Sequence, residues 1–195
     1  MNIGKREFNK LLKSLDIILN LKNRHFEKSM FYIPSDPPLK HSLTTDNINQ
    51  FFSENSDLSE FEILKELLTE VINLNPNNNS GLFSIYRLLA EKAKFEGNTL
   101  YTDYAKKAFK YYALRQLSGW RNSNGESLYL QVICRKQDLC NKCQHLDNMI
   151  YSENDFIRVL PIPVEKCTNE YLCPSALSVM SERLYFKLKE ENKLF

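Results

Sequence analysis

The chain has 195 residues, of which 43% are hydrophobic, and a formal net charge of +2 at pH 7, which predicts one or two soluble globular domains. No apolar run approaches the roughly 18 residues that a membrane span requires, and charged residues interrupt the segment in which a signal peptide would have its apolar core. We therefore expect a cytoplasmic protein with no membrane partner, whose five cysteines are thiols or metal ligands rather than disulfides.

The hydrophobic pattern divides the chain into four segments. Residues 1–28 are predicted to carry an amphipathic helix, because apolar side chains recur at helical spacing with lysines opposite. Residues 29–45 contain three closely spaced prolines and are predicted to be an extended linker, or an arm that wraps the body. Residues 46–121 are predicted to be a helical bundle, and residues 122–195 a zinc-ribbon-like module with a C-terminal helix.

The bundle segment contains one short and three longer helical patterns. Asp46 is expected to cap the short helix, and Asp57 or Ser59 the next, whose apolar positions share one face. The last two helices, roughly 81–96 and 100–117, resemble a tetratricopeptide-type pair. A single repeat cannot form a solenoid, so a plain antiparallel helical hairpin is the alternative interpretation.

After Trp120 the hydrophobic period changes from that of a helix to that of a strand. The segment LYLQVIC, residues 128–134, alternates apolar and polar positions and places Cys134 on the apolar face. The ALSVM segment is too short to assign, and SERLYFKLKEENKLF closes the chain as an amphipathic helix. The fold class predicted is mainly α, with an α+β character: a helical bundle with a small C-terminal zinc-stapled β-hairpin module.

Four cysteines in the last segment form two local pairs, one spaced C-x2-C and the other C-x5-C. They are Cys140, Cys143, Cys167 and Cys173. Two such pairs separated by about one hairpin can bring four sulfurs to one tetrahedral Zn²⁺ ion. Four thiolates close the coordination shell, so the ion would be structural and not catalytic. A partly buried set of free thiols is the alternative.

Two further residues compete for a place in this site. Cys134 precedes Cys140 by six positions, but its location on the apolar face of a strand favours a buried, inert thiol. His145 follows Cys143 closely and is the alternative ligand to Cys173, because the C-x5-C spacing is longer than is usual for zinc.

The run CNKCQHLDNMIYSENDF, followed by LPIPVEKCTNEYLC, is similar to a cysteine segment near the C-terminus of Mu-type phage head-morphogenesis proteins and of small bacterial proteins that join it to a helical region. The resemblance implies metal-ligand roles for Cys140, Cys143 and Cys167. Asn148 stands where that family has glycine, a substitution that asparagine permits because it tolerates a left-handed turn. The resemblance implies a zinc-ribbon-like module, and it does not transfer capsid assembly to this chain.

The sequence does not favour an enzyme. A C-x2-C motif can form a thiol–disulfide site, but a thioredoxin-like enzyme places it after a strand and at a helix N-terminus, whereas here a strand, NMIYS, is predicted to follow it. A zinc-supported nuclease would need a histidine base and a second metal, and only His145 is nearby.

A basic and aromatic stretch lies between Tyr104 and Gly125 and contains no acid. Its cations are Lys106, Lys107, Lys110, Arg115 and Arg121. Cations for phosphates beside rings for stacking are typical of a nucleic-acid surface. The alternative is that the aromatic side chains are the core face of a helix and the cations its solvated back. We expect a binding or scaffolding protein with a protein partner first and nucleic acid second.

Overall fold

A computed structural model describes residues 5–20, 37–120, 125–134, 141–162 and 176–191. The chain divides into two compact units, Met1–Tyr101 and Thr102–Phe195. The helices of the first unit are α1 (Lys5–Asn20), α2 (Thr45–Glu54), α3 (Glu60–Leu74) and α4 (Asn79–Phe95). The elements of the second unit are α5 (Tyr101–Trp120), β1 (Leu128–Ile133), α6 (Asn141–Gln144), β2 (Ile150–Ser152), α7 (Glu153–Val159), β3 (Ala176–Ser181) and α8 (Glu182–Glu190).

In the first unit, α4 packs against both α3 and α1. The predicted apolar faces form its core, whose fully buried members include Leu11, Leu15, Phe61, Leu64, Leu68, Leu82, Ile85 and Leu89. The helix starts follow from side chains that satisfy otherwise unpaired amides. The Ser59 hydroxyl accepts from the amide of Glu62 at 3.2 Å, and the Glu62 carboxylate accepts from the amide of Ser59 at 3.3 Å.

The short helix α2 corrects one prediction, because its cap is Thr44 and not Asp46. The Thr44 hydroxyl accepts from the amide of Asn47 at 3.3 Å. Asp46 lies within the first turn instead, where a negative charge favours the helix dipole.

The second unit is built on a three-stranded antiparallel sheet with the strand order β2-β1-β3. Leu128, Leu130 and Val132 of the central strand are buried, as the alternation predicts. The structure adds three elements that the sequence did not predict: the strand β3 and the helices α6 and α7. Phe156 of α7 is fully buried and packs edge-on against Tyr151, with ring centroids 5.9 Å apart.

Helices cover both faces of this sheet. Phe109, Ala113 and Leu117 of α5 belong to the same buried cluster as the inward side chains of β1 and α7. The opposite face carries Tyr129, whose ring stacks on that of Tyr185 in α8 at 4.1 Å. The helix α5 therefore groups with the sheet, whereas the sequence pattern suggested a boundary after it, at residue 121. No helix in the described part of the chain is both long and apolar enough to cross a membrane.

Candidate metal centre

The register of the sheet brings three chain segments to one end of it. Ile150, the first residue of β2, is paired with Gln131, and Ala176, the first residue of β3, is paired with Ile133 at the end of β1. The end of β1 and the starts of β2 and β3 therefore lie side by side. The C-x2-C pair belongs to the connection that leaves β1 and enters β2, and the C-x5-C pair to the segment that leads into β3.

Backbone hydrogen bonds hold the connection between β1 and β2 close to the sheet. The amide of Asn148 donates to the carbonyl of Val132 at 2.8 Å, and the amide of Val132 donates to the carbonyl of Met149 at 2.9 Å. Asn148 itself adopts a φ of 65°, so the predicted left-handed turn is confirmed. The chain thus reverses direction at a fixed point before β2.

Asp147 fixes the start of this connection to its end. Its carboxylate accepts from the amide of Cys134 at 2.8 Å. The Cys134 thiol in turn donates to the carbonyl of Cys143 at 3.5 Å. The role of Asp147 depends on the register of the sheet, which no local sequence pattern reveals.

Cys143 is the one predicted zinc ligand that lies among the described residues. It belongs to the short helix α6 and is 0% exposed, in the core cluster that also contains Cys134. Cys140, Cys167 and Cys173 lie outside the described residues. Within the ranges that the structure describes, no group of three or more His, Cys, Asp or Glu side chains is arranged to hold a metal ion.

The two alternative ligands differ in their surroundings. Cys134 is 4% exposed and follows the last residue of β1, as expected for a thiol on the apolar face. His145 is exposed, although it follows Cys143 by only two residues. A zinc site that excludes water would use buried sulfur in preference to this imidazole.

Two acidic side chains near the sheet, Asp147 and Asp155, take part in local hydrogen bonds. Asp155 caps α7 together with Ser152, whose hydroxyl lies 2.7 Å from its carboxylate. The hydrogen bond from Ser152, and after it the one from Arg158, lowers the pKa of Asp155. The Asp147 carboxylate therefore holds a backbone amide, whereas the Asp155 carboxylate holds the Ser152 hydroxyl and the Arg158 guanidinium.

Four of the five predicted cations, Lys106, Lys107, Lys110 and Arg115, lie on the described helix α5. Lys106, Lys107 and Lys110 are neighbours at helical spacing, but Arg115 follows Lys110 by five residues, about 140° around the helix axis. The guanidinium of Arg115 stacks on the ring of Tyr112, 5.5 Å from its centroid. Arg121 lies outside the described residues.

The aromatic side chains of α5 divide between its core and its surface. Phe109 is 8% exposed, whereas Trp120 is 46% exposed. Burial, and after it the nearby Asp103 carboxylate, raises the pKa of Tyr104, which also lies under the ammonium group of Lys107. Asp103 is itself exposed one turn before Lys106 and Lys107, so an acid accompanies the cations on this helix.

Comparison with protein-family models, with curated proteins and with solved structures gives no match. The likeness of the cysteine segment to Mu-type head-morphogenesis proteins therefore depends on the residues quoted above alone.

Proposed function

We propose that this chain is a non-catalytic, zinc-stabilised binding or scaffolding protein whose first partner is another protein. The observation that supports it most is the sheet register, because it brings the flanks of both cysteine pairs to one end of the sheet. A bound Zn²⁺ ion would cross-link these segments at the end of the sheet and so add to the buried cluster that holds α5, β1 and α7 together.

Covalent geometry permits this convergence. Cys140 directly precedes α6, and Cys173 precedes Ala176, the first residue of β3, by three residues in the sequence. Ala176 is paired with Ile133, the neighbour of Cys134, whose thiol contacts the Cys143 backbone. We therefore assign Cys140, Cys143, Cys167 and Cys173 as ligands, with Cys173 favoured over the exposed His145.

The protein partner is supported by apolar side chains at the same end of the sheet. Ile133 and Met149 are 40% and 47% exposed, although both are large and hydrophobic. Apolar surface beside a rigid metal site is suited to contact with another protein.

Metal content decides between zinc binding and inert thiols. The purified full chain is expected to contain one zinc per molecule by elemental analysis, and Cys143→Ala to lose it. Cys134→Ala is the matched control, because that thiol is equally buried but is not assigned as a ligand; it should keep its zinc. A wild-type chain without zinc, or loss from both variants alike while both stay folded by circular dichroism, contradicts the proposal.

Nucleic acid is the second candidate partner, and its support is the row of Lys106, Lys107 and Lys110 on α5. If these cations bind phosphates, affinity for a single-stranded oligonucleotide falls steeply with salt, and the triple change of these lysines to glutamine removes that dependence. Binding that does not change with salt excludes this interpretation.

A further inference from the structure

The proline-containing segment before α2 lies against the C-terminal part of α3 and the turn between α3 and α4. We call residues 37–44 the strap. Its contacts run in the direction opposite to the helix: Pro37 meets Asn78, Lys40 meets Asn75, and the Ser42 hydroxyl lies 3.3 Å from the Glu70 carboxylate. The strap has no helix or strand of its own, so the side chains of the helical unit supply the partners of its backbone.

The Asn75 side chain forms hydrogen bonds with the backbone of a single strap residue, Lys40. Its side-chain oxygen accepts from the amide of Lys40 at 2.9 Å, and its side-chain nitrogen donates to the carbonyl of Lys40 at 2.8 Å. The same nitrogen donates to the carbonyl of Val71 at 2.7 Å, which fixes the side chain on α3. This pair of bonds is what a neighbouring β-strand would offer, and it does not depend on which side chain the peptide carries.

Asn78 provides a second backbone contact at the other end of the peptide. Its side-chain nitrogen donates to the carbonyl of Pro37 at 2.6 Å, and its oxygen accepts from the amide of Gly81 at 2.8 Å. Asn75 and Asn78 are 6% and 5% exposed, and they are the buried polar residues among those described. Buried amides held by anchoring bonds on one side present a rigid set of donors and acceptors on the other.

The side chain of Leu39 in the strap fills a pocket of matching shape. Leu39 is 5% exposed, whereas Pro37, Pro38 and Lys40 point to solvent. The pocket exists because Gly81 has no side chain: a Cβ there would lie 2.4 Å from Leu39 Cδ2 and 2.8 Å from its Cγ. The prolines before Leu39 keep the peptide extended, which reduces the entropy lost on docking.

We propose that Asn75, Asn78 and Gly81 form a peptide-binding groove for an extended Pro-Pro-Leu-x segment. The chain's own Pro37–Lys40 fills the groove here, and a segment of the same kind in a partner protein competes for it. The tethered copy has a local concentration on the order of millimolar, so it occupies the groove unless a partner displaces it. This site is separate from the proposed zinc site and lies in the other unit, so either can fail alone.

The groove can be tested in a full-length variant whose own segment keeps its length but loses both prolines and the leucine side chain, so that it competes less well for the groove. In this emptied variant, Pro37→Gly, Pro38→Ser, Leu39→Gly and Lys40→Ser replace the peptide. The probe is a fluorescein-labelled synthetic octapeptide with the sequence of residues 35–42, and binding is measured by fluorescence anisotropy. We expect saturable binding to the emptied variant and at least about tenfold weaker binding to the wild-type chain, whose own segment competes.

Two controls test whether the groove recognises the backbone of the peptide and its leucine side chain. Asn75→Ala in the emptied variant, and an octapeptide carrying Leu39→Asp, should each weaken binding at least about tenfold. No saturable binding up to about 1 mM by a folded emptied variant overturns the proposal, and so does equal affinity for the two peptides. Zinc content should be unchanged throughout.

If the emptied variant does not fold, the single change Leu39→Ala gives a second test. The octapeptide should raise the Tm of this variant in proportion to the logarithm of its concentration, and the Leu39→Asp peptide should not. Equal effects of the two peptides, or none, overturn the groove.

Discussion

Asparagine serves the backbone in more than one way in the part of the chain that the structure describes. Asn75 and Asn78 supply hydrogen bonds to the strap, and Asn148 supplies a left-handed residue to the turn before β2. The third of these was predictable, because asparagine in a turn tolerates the left-handed region better than most residues do. The first two were not, since Asn75 and Lys40 lie 35 residues apart and no local pattern links them.

The turn at Asn148 predicts a clear order of substitutions. Asn148→Gly is expected to change the free energy of unfolding by less than about 0.5 kcal/mol, because glycine adopts a φ of 65° without strain. Asn148→Val is expected to destabilise by about 2 kcal/mol, because a β-branched residue is strained there. Urea denaturation followed by circular dichroism measures both, and a valine variant as stable as wild type contradicts the prediction.

The ionisation of Asp155 makes the free energy of unfolding depend on pH. Its hydrogen bonds to Ser152 and Arg158 lower its pKa below the ordinary value of 3.8, so its contribution is present above that value and is lost as the pH falls through the lower, folded-state pKa. Asp155→Asn should therefore be less stable than wild type at pH 6, and the two should converge below pH 3.8. Urea midpoints over a pH series measure the difference, and a gap that does not depend on pH is the contrary result.

Helices and strands with a regular hydrophobic periodicity were predictable from the sequence, and those in which the periodicity is broken were not. β1 alternates strictly and was predicted, whereas in β3 the adjacent Val179 and Met180 are both buried and the alternation fails. The helix α7 was missed because Phe156 is its one fully buried side chain, which leaves no apolar stripe to detect. In each case the missing information is a tertiary contact, not a local propensity.

The contact between the strap and α4 can be measured as a coupling free energy between Leu39 and Gly81. Gly81→Ala is expected to destabilise by about 1–3 kcal/mol, because its Cβ would overlap Leu39. In a Leu39→Ala background the same change should cost distinctly less, because the overlapping atoms are gone. A double-mutant cycle by urea denaturation gives the difference, and additive costs would show that Leu39 and Gly81 do not share a pocket.

At the scale of the whole molecule, the division into two units predicts separate responses to metal removal. Trp120, the one tryptophan of the chain, belongs to the second unit and reports on it by fluorescence. We expect a chelator to lower the denaturation midpoint seen by Trp120 fluorescence, and to leave much of the helical circular dichroism of the first unit unchanged.

A substitution in the other unit provides the matched control. Leu64→Ala removes a fully buried side chain of the first unit. It should lower the denaturation midpoint followed by helical circular dichroism and leave the midpoint followed by Trp120 fluorescence unchanged. If the two signals shift together in both experiments, the chain unfolds as one cooperative body and the separate response is wrong.

The strand order also dictates when each unit can fold on the ribosome. β1 is the central strand, and its longer partner β3 is synthesised more than forty residues later. The first unit contains every helix it needs before β1 is translated, so it can close while the sheet is still a single strand. Until β3 leaves the exit tunnel, one hydrogen-bonding edge of β1 has no partner strand, and this interval is when a nascent chain is most open to chaperones or to misassembly.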